Sequence, residues 1–451
     1  MDSRTHNSFQ GLAIGMIPPI QQSKVSLTDS KPKLHGIKAN LLIPGRGEPL
    51  KNACLIIHEK VITWVGPTSS LPPKYQSVPC VSVPVLMPGL WDVHTHFLGI
   101  LSPAAGFDSL LSRSAALAGA IITRDLRNTL FAGFTSVREL AGYGGEISPA
   151  VDDGTIVGPH IYSAIAPISM TAGHGDIHNL PIGTVLDACA HGLPFAVCDG
   201  VPDCIKTVRL MIRRGAKCIK VCATGGVFSL LDSPTDTQFS PEELKAMVDE
   251  AARAKRVVAA HCHGKEGILA AINAGVKTIE HGSYLDEECI KLMLEKDVIY
   301  CPTASVQEGG SREADKLPPS TAKKILEVTA HARYAYRLAI KHGVKIALGT
   351  DQASSMPGYF NSHGVNGKEI WYAVKAGMTP SQAIEACTAI SPETLGVHMA
   401  PKSGQLRVGF DADLIALDDN PLEDIGVLAE PDKITHVWKD GKLFKSPKGV
   451  E

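Results

Sequence analysis

Four times in this chain a helical run ends in glycine and a strand begins at once. The joints are Phe131-Ala132-Gly133-Phe134-Thr135, Arg214-Gly215-Ala216-Lys217, Asn273-Ala274-Gly275-Val276-Lys277 and Lys341-His342-Gly343-Val344-Lys345. Glycine there supplies the left-handed residue that closes a helix C-terminus, so the repeat punctuates alternating helices and strands. Helix starts are marked as well. Ser240-Pro241-Glu242-Glu243 offers an N-cap serine, a proline at the first helical position and a glutamate three residues on. Leu244, Met247, Val248, Ala251 and Ala252 follow at helical spacing, and Thr379-Pro380-Ser381-Gln382 repeats the start. Eight strands are expected, ending near His96, Glu139, Ala164, Lys220, His261, His281, Thr303 and Asp351. Spread over roughly 310 residues, this is the size of a (β/α)8 TIM barrel, an α/β fold. An open doubly wound sheet is the alternative, but no Gly-x-Gly-x-x-Gly follows an early strand.

The two ends of the chain read differently. Ile37–Ile43, Ala53–Ile57 and Val61–Val65 are short apolar runs separated by Pro44-Gly45-Arg46-Gly47 and a turn at Gly66-Pro67. Asp413–Leu417 and Ile434–Trp438 repeat that style, and Asp440-Gly441 is a hairpin turn leading to Leu443-Phe444. Neither end has enough strands for its own core. They are expected to join into one small β-sandwich, residues 33–86 with 403–451, flanking a barrel of residues 87–402. Residues 1–32 are polar and aperiodic and are expected to form a flexible arm.

Composition narrows the class. With 44% hydrophobic and 20% charged residues and a net charge of −2, nothing asks for nucleic acid or an anionic membrane as partner. No apolar stretch approaches the ~20 residues that cross a bilayer. The N-terminus lacks a basic region followed by an apolar core, so a cytoplasmic protein is expected. Eleven cysteines, an odd number, argue for reduced thiols, and Cys218, Cys222, Cys262 and Cys301 sit in apolar runs.

In a barrel the active site lies at the C-terminal strand ends. His94 and His96 share one face of the first strand, after Met87-Pro88-Gly89. Lys220 ends the fourth strand, His261 with His263 the fifth, His281 the sixth and Asp351 the eighth. Converging imidazoles and a carboxylate point to a metal centre, with zinc suited and manganese, cobalt or iron possible. Four imidazoles and one carboxylate around two ions leave a position open for water. Lys220 is the odd member, because an ammonium repels a cation. A salt bridge to Asp351 or Glu139 is its plain reading. Gly225-Gly226 after the fourth strand would let a substrate carboxylate approach the backbone, although a turn is the commoner meaning.

His94-Thr95-His96 after Pro-Gly, Lys220, His261, His281 and Gly349-Thr350-Asp351 resemble the amidohydrolase superfamily in identity and order. The resemblance implies that Lys220 is N6-carboxylated to a carbamate bridging two divalent metal ions, which resolves its charge. Lys217, three positions away, faces outward. Asp153-Gly154-Thr155-Ile156-Val157-Gly158-Pro159 and Ile434-Thr435-His436-Val437-Trp438-Lys439 narrow the likeness to a fungal amidase subgroup acting on ochratoxin A. Its relatives include prolidase-like dipeptidases and carboxypeptidases acting on acylated amino acids. Residues 98–127 and 305–320 are not matched, and both lie where barrel loops shape a pocket.

The resemblance implies an amidase cleaving N-acyl aromatic or hydrophobic amino acids, with a prolidase-type dipeptidase or cyclic-amide hydrolase as the alternative. Asp351 is the expected proton carrier, and His263 is assigned to the carbonyl or its oxyanion, the other reading being a structural rim histidine. His174, in Ala172-Gly173-His174-Gly175-Asp176, lines the substrate pocket by resemblance or is a plain loop residue, and Tyr143 is a further candidate of that kind. His363 is expected to brace the loop after the eighth strand. A homo-oligomer is implied. A non-catalytic scaffold would lack ligands, and none is missing; a decarboxylase of this fold would lack the lysine.

Overall fold

The computed structural model describes residues 34–101 and 106–447. The arm expected at residues 1–32, with His6, lies outside the described residues, as does part of the unmatched 98–127 stretch. Two runs of parallel strands lie side by side, Leu90–Ile100, Phe134–Glu139 and His160–Ser163 in one, and Ile219–Cys222, Val258–Cys262, Thr278–His281 and Ile299–Cys301 in the other. Residues 345–348 complete the barrel. Tyr300 N–H donates to Lys345 O (2.9 Å), Ala347 N–H to Tyr300 O (3.0 Å) and Val93 N–H to Leu348 O (3.1 Å), so the eighth segment bridges the seventh strand to the first. At the other junction Lys217 N–H donates to Ser163 O (2.7 Å), and the two runs close into the barrel the helix–strand alternation called for.

The third strand departs from the expectation. It stops at Ser163, turns at Ile165 with φ 72°, and resumes as Pro167–Ser169, which pairs with Ile219–Cys222 and with an unforeseen strand, Ala196–Val197. The four joint glycines all take positive φ, between 72° (Gly343) and 102° (Gly215). Ser240 and Thr379 both form capping boxes on helices Pro241–Arg253 and Pro380–Ala386.

Inside the barrel, Trp91, Cys218, Ala259, Ile299 and Ala347, from five different segments of the barrel wall, form one buried cluster. The interior is therefore a packed plug, and the strand ends above it are the place for chemistry.

Both chain ends build a single seven-stranded sheet, in the order Lys442–Lys445, Ile434–Lys439, Leu414–Leu417, Cys80–Pro88, Leu34–Leu42, Leu50–His58, Val61–Pro67. The two layers of the expected sandwich are one sheet curled on itself. The segment before Leu414 returns to the opposite edge, where Ile62 N–H donates to Phe410 O (2.9 Å) and Ala412 N–H to Lys60 O (2.7 Å). The curl encloses Ile37, Leu55, Ile57, Ile62, Leu86, Leu414 and Trp438. Fully burying each large aliphatic side chain contributes about 1.5–3 kcal/mol. All eleven cysteines are free thiols. Among the described residues no helix is long and apolar enough to cross a membrane.

Candidate metal centre

His94 and His96 leave the first strand toward the eighth segment. Asp351 Oδ1 lies 3.3 Å from His94 Nε2 and 2.9 Å from His96 Nε2. Two features bring these strands so close. Asp351 N–H donates to His94 O (2.7 Å), and Gly349 has no side chain to intervene, since a Cβ there would sit 2.6 Å from His94 Cβ. Asp92 clamps the same junction, accepting from His94 N–H, Thr350 N–H, Thr350 Oγ1 and Asn366 Nδ2.

Across the barrel mouth stand His261, His263 and His281, whose nitrogens lie within 4.8 Å of one another. Ring centroids are 4.5 Å apart for His261 and His281 and 5.0 Å for His94 and His281, so the two groups form one cluster. His281, Thr303 and Asp351 have φ of 68°, 51° and 60°. Such left-handed backbone in non-glycine residues costs of order 1–3 kcal/mol each and concentrates at functional sites. It also breaks strand alternation, which lets Glu280 and His281, consecutive in sequence, both turn toward the barrel axis.

Each imidazole has a protein partner on at least one nitrogen. His94 Nδ1 meets Glu280 Oε2 (2.8 Å), His96 Nδ1 meets Ala141 O (3.0 Å), His263 Nδ1 meets Ser283 Oγ (2.8 Å) and His281 Nδ1 meets Thr303 Oγ1 (2.8 Å). His261 Nε2 meets Gly225 O (3.1 Å). Fixing one nitrogen in this way aims the other at a ligand. Burial, seconded by the Lys220 charge, lowers His94 to about 4, while burial and the neighbouring imidazoles lower His263 to about 3 and put His261 and His281 well below the usual value. These four rings are thus neutral at physiological pH, as metal binding requires. Burial alone would raise Asp351, but His94, His96 and Lys220 hold it at about 2, ionised.

Lys220 is 3% exposed, and its Nζ has no hydrogen-bond partner among the described residues. The alternative of a salt bridge to Asp351 or Glu139 therefore fails. Glu139 instead accepts from Gly144 N–H, Gly145 N–H, Phe97 N–H and Ser163 Oγ. A buried ammonium left unpaired is costly, and it faces a cluster of potential metal ligands.

The remaining candidates separate. His174 stacks on His261 with centroids 4.2 Å apart, its Nδ1 2.9 Å from Ser229 Oγ. Gly226 makes room for it, because a Cβ there would lie 2.2 Å from the His174 ring. Gly225 is enclosed differently: its N–H donates to Asp236 O, and a Cβ would meet Ser233 O at 2.1 Å. Its backbone is filled by this chain's own loop, which leaves its carbonyl on His261 as its contact with the site. Tyr143 packs against the apolar cluster around Phe97 and Val137. His363 stacks on Phe97 (4.6 Å) and its Nε2 meets His96 O (3.2 Å), bracing the first ligand strand.

Sequence reasoning missed Glu280, Arg138 and Asp92. Arg138 is fully buried, with Nη2 2.7 Å from Glu280 Oε1 and Nε 2.6 Å from Val93 O. Burial would raise Glu280, yet Arg138 and His94 hold it far below the carboxylate range. The available signal was charge inside apolar strands, as in Val137-Arg138-Glu139 and Ile279-Glu280-His281.

Residues 85–444 match the model of the Amidohydrolase family. The chain is 50% identical over 427 residues to ochratoxinase of Aspergillus niger, covering 91% of this chain and 86% of that protein. The crystal structure of A. niger ochratoxinase superposes with a TM-score of 0.86 at 49% identity, over 92% of this chain and 96% of that one. A Xaa-Pro dipeptidase with bound methionine in its active site gives 0.80 at 29% identity, over 92% and 100%. Proteins of the family generally bind metal ions, and the donor set fits: neutral imidazoles, an ionised carboxylate and an orphaned lysine nitrogen among them.

Proposed function

Because this chain belongs to the amidohydrolase family, a hydrolase acting on amide bonds, we propose that it is a binuclear metal amidase for N-acyl aromatic or hydrophobic amino acids, with ochratoxin A as a substrate, yielding ochratoxin alpha and phenylalanine. The observation that carries the two-ion reading is the buried, unpartnered Lys220 Nζ facing His94, His261, His281 and Asp351. As a neutral amine, Lys220 adds to carbon dioxide with loss of one proton. The resulting N6-carbamate places one negative charge, shared by two oxygens, where the ammonium stood.

His94, His96, Lys220, His261, His281 and Asp351 are the proposed ligands, with zinc as the metal. Bound ions would supply a Lewis acid for the amide carbonyl and lower the pKa of water toward neutrality. Asp351, ionised and within reach of both first-strand histidines, takes the proton from the attacking water and passes it to the leaving nitrogen. His263, fixed by Ser283, turns its free nitrogen to the oxygen that becomes negative as the carbonyl is attacked. His174 lies against His261 at the edge of the same site and contacts the substrate, while Tyr143 and Gly225 shape its surroundings. A cytoplasmic homo-oligomer is part of this reading.

The second reading, a dipeptidase of prolidase type, is favoured by the likeness to the Xaa-Pro dipeptidase. Chromatography of products from ochratoxin A, N-acyl-phenylalanines and Xaa-Pro dipeptides separates the two. Phenylalanine release from the first two substrates is expected. Turnover of the dipeptides alone would overturn the proposal in favour of the second reading.

A further inference from the structure

Away from the histidine cluster, His160, Asp413 and Asp440 converge where the barrel adjoins the curled sheet. His160 opens the third barrel strand, so it lies at the N-terminal end of the barrel, opposite the mouth. Asp413 immediately precedes Leu414–Leu417, and Asp440 is the turn residue between Ile434–Lys439 and Lys442–Lys445. His160 Nε2 lies 3.4 Å from Asp413 Oδ2 and 3.8 Å from Asp440 Oδ1. One ligand atom from each of the three lies within 4.8 Å of the others.

Asp413 is what makes this more than a surface cluster. It is 3% exposed, and its Oδ1 accepts the Asp440 backbone N–H at 2.8 Å. Its Oδ2 has no hydrogen-bond partner among the described residues, although His160 Nε2 is close enough to be one. Ligands of a tetrahedral zinc ion, at ~2.0–2.2 Å from the metal, lie about 3.3–3.5 Å apart. The His160–Asp413 and His160–Asp440 spacings are within a few tenths of an ångström of that.

His160 faces both carboxylates, and further charged groups surround the point. Asp411, close enough to interact with His160, Asp413 and Asp440, adds a third carboxylate. Of the two lysines nearby, Lys439 has its Nζ on Gly158 O (2.8 Å). Lys60 reaches Asp440 Oδ2 at 3.4 Å from a side chain that is 67% exposed, a loose and screened partner.

We propose that His160, Asp413 and Asp440 bind a divalent transition-metal ion of the zinc class, separate from the catalytic centre, which ties the bottom of the third barrel strand to the C-terminal hairpin. The ion takes the imidazole Nε2, the free Asp413 oxygen and Asp440 Oδ1, and leaves one position for water. Lys60 is the competing cation.

The test uses the full-length chain equilibrated at fixed free zinc, with bound zinc counted by mass spectrometry and the melting temperature followed as zinc is raised. The wild type is expected to hold one zinc more per chain than Asp440→Asn or His160→Gln, with hydrolytic turnover unchanged in both variants. Lys60→Ala is expected to fill the site at lower free zinc and to gain more in melting temperature. Because the readout is a difference, it does not depend on how many ions the catalytic centre holds. Equal zinc counts in wild type and Asp440→Asn, or a Lys60→Ala chain that binds zinc more weakly, would overturn the proposal. Should His160→Gln not fold, the Asp440→Asn comparison decides, because that residue sits on a turn.

Discussion

Glu280 and His94 meet beneath the histidine cluster, with Oε2 of the carboxylate 2.8 Å from Nδ1 of the imidazole and both side chains buried. The contact sets which His94 nitrogen carries the proton and leaves Nε2 toward Asp351. The carboxylate is itself held by Arg138, so the metal-binding face of the first strand is oriented from across the barrel.

Glu280→Gln keeps the shape but removes the charge that both partners require. Metal affinity is expected to fall about 10–100-fold, the usual cost of losing a partner behind a ligating histidine. Arg138 becomes a buried charge without its counter-ion, a change on the order of 3–5 kcal/mol in stability. Chelator competition on the folded fraction, together with a thermal melt, measures both. Wild-type affinity in the variant would mean that His94 is oriented by other contacts.

Lys220→Ala removes the orphaned nitrogen and, on the proposed chemistry, the bridge between ions. Metal content and turnover should drop together, and a short carboxylic acid should restore part of both. An alanine variant that retains its full metal complement would show that Lys220 does not act as a bridge.

Asp351→Asn leaves the backbone contact with His94 in place, since that bond comes from Asp351 N–H. The fold should persist while turnover falls by about 10²–10⁴-fold, the range for losing a positioned acid–base group. Near-normal turnover would remove Asp351 from proton transfer.

How far the sequence could be read follows from the physics of each element. The helix–strand joints were legible because glycine at a left-handed position and serine or threonine at an N-cap are local requirements, met at Gly275 and at Ser240 without help from elsewhere. The converging histidines were legible because a barrel collects its strand ends at one mouth. The break of the third strand at Ile165 was not, since nothing in Ser163-Ala164-Ile165-Ala166 asks for positive φ. Nor was the pairing of Arg138 with Glu280, which are 142 residues apart and joined only by the closed barrel. The filling of the space beside Gly225 was not legible for a similar reason: the loop of residues 232–236 that occupies it is placed by tertiary contacts such as Lys324 Nζ to Asp232 O.

Glu369 offers a test of the fold that is independent of the active-site chemistry. It is 1% exposed and accepts the backbone N–H groups of Ala304 (2.9 Å) and Ser305 (2.7 Å), the otherwise orphaned donors that open helix Ala304–Arg312. Burial nevertheless dominates and pushes its carboxyl up to about 7 from an ordinary 4.5. Between those values the folded chain holds a proton that the unfolded chain has released. Stability from this group is therefore complete below about pH 4.5 and declines as pH rises to 7, by about 3 kcal/mol at most. Glu369→Gln cannot titrate, so its stability should lack this decline. Denaturant midpoints for both chains across pH 4.5–8 give the difference directly. The variant should be relatively weakest at the acid end and should gain on the wild type as pH rises, whereas parallel curves would show that Glu369 ionises normally in the fold.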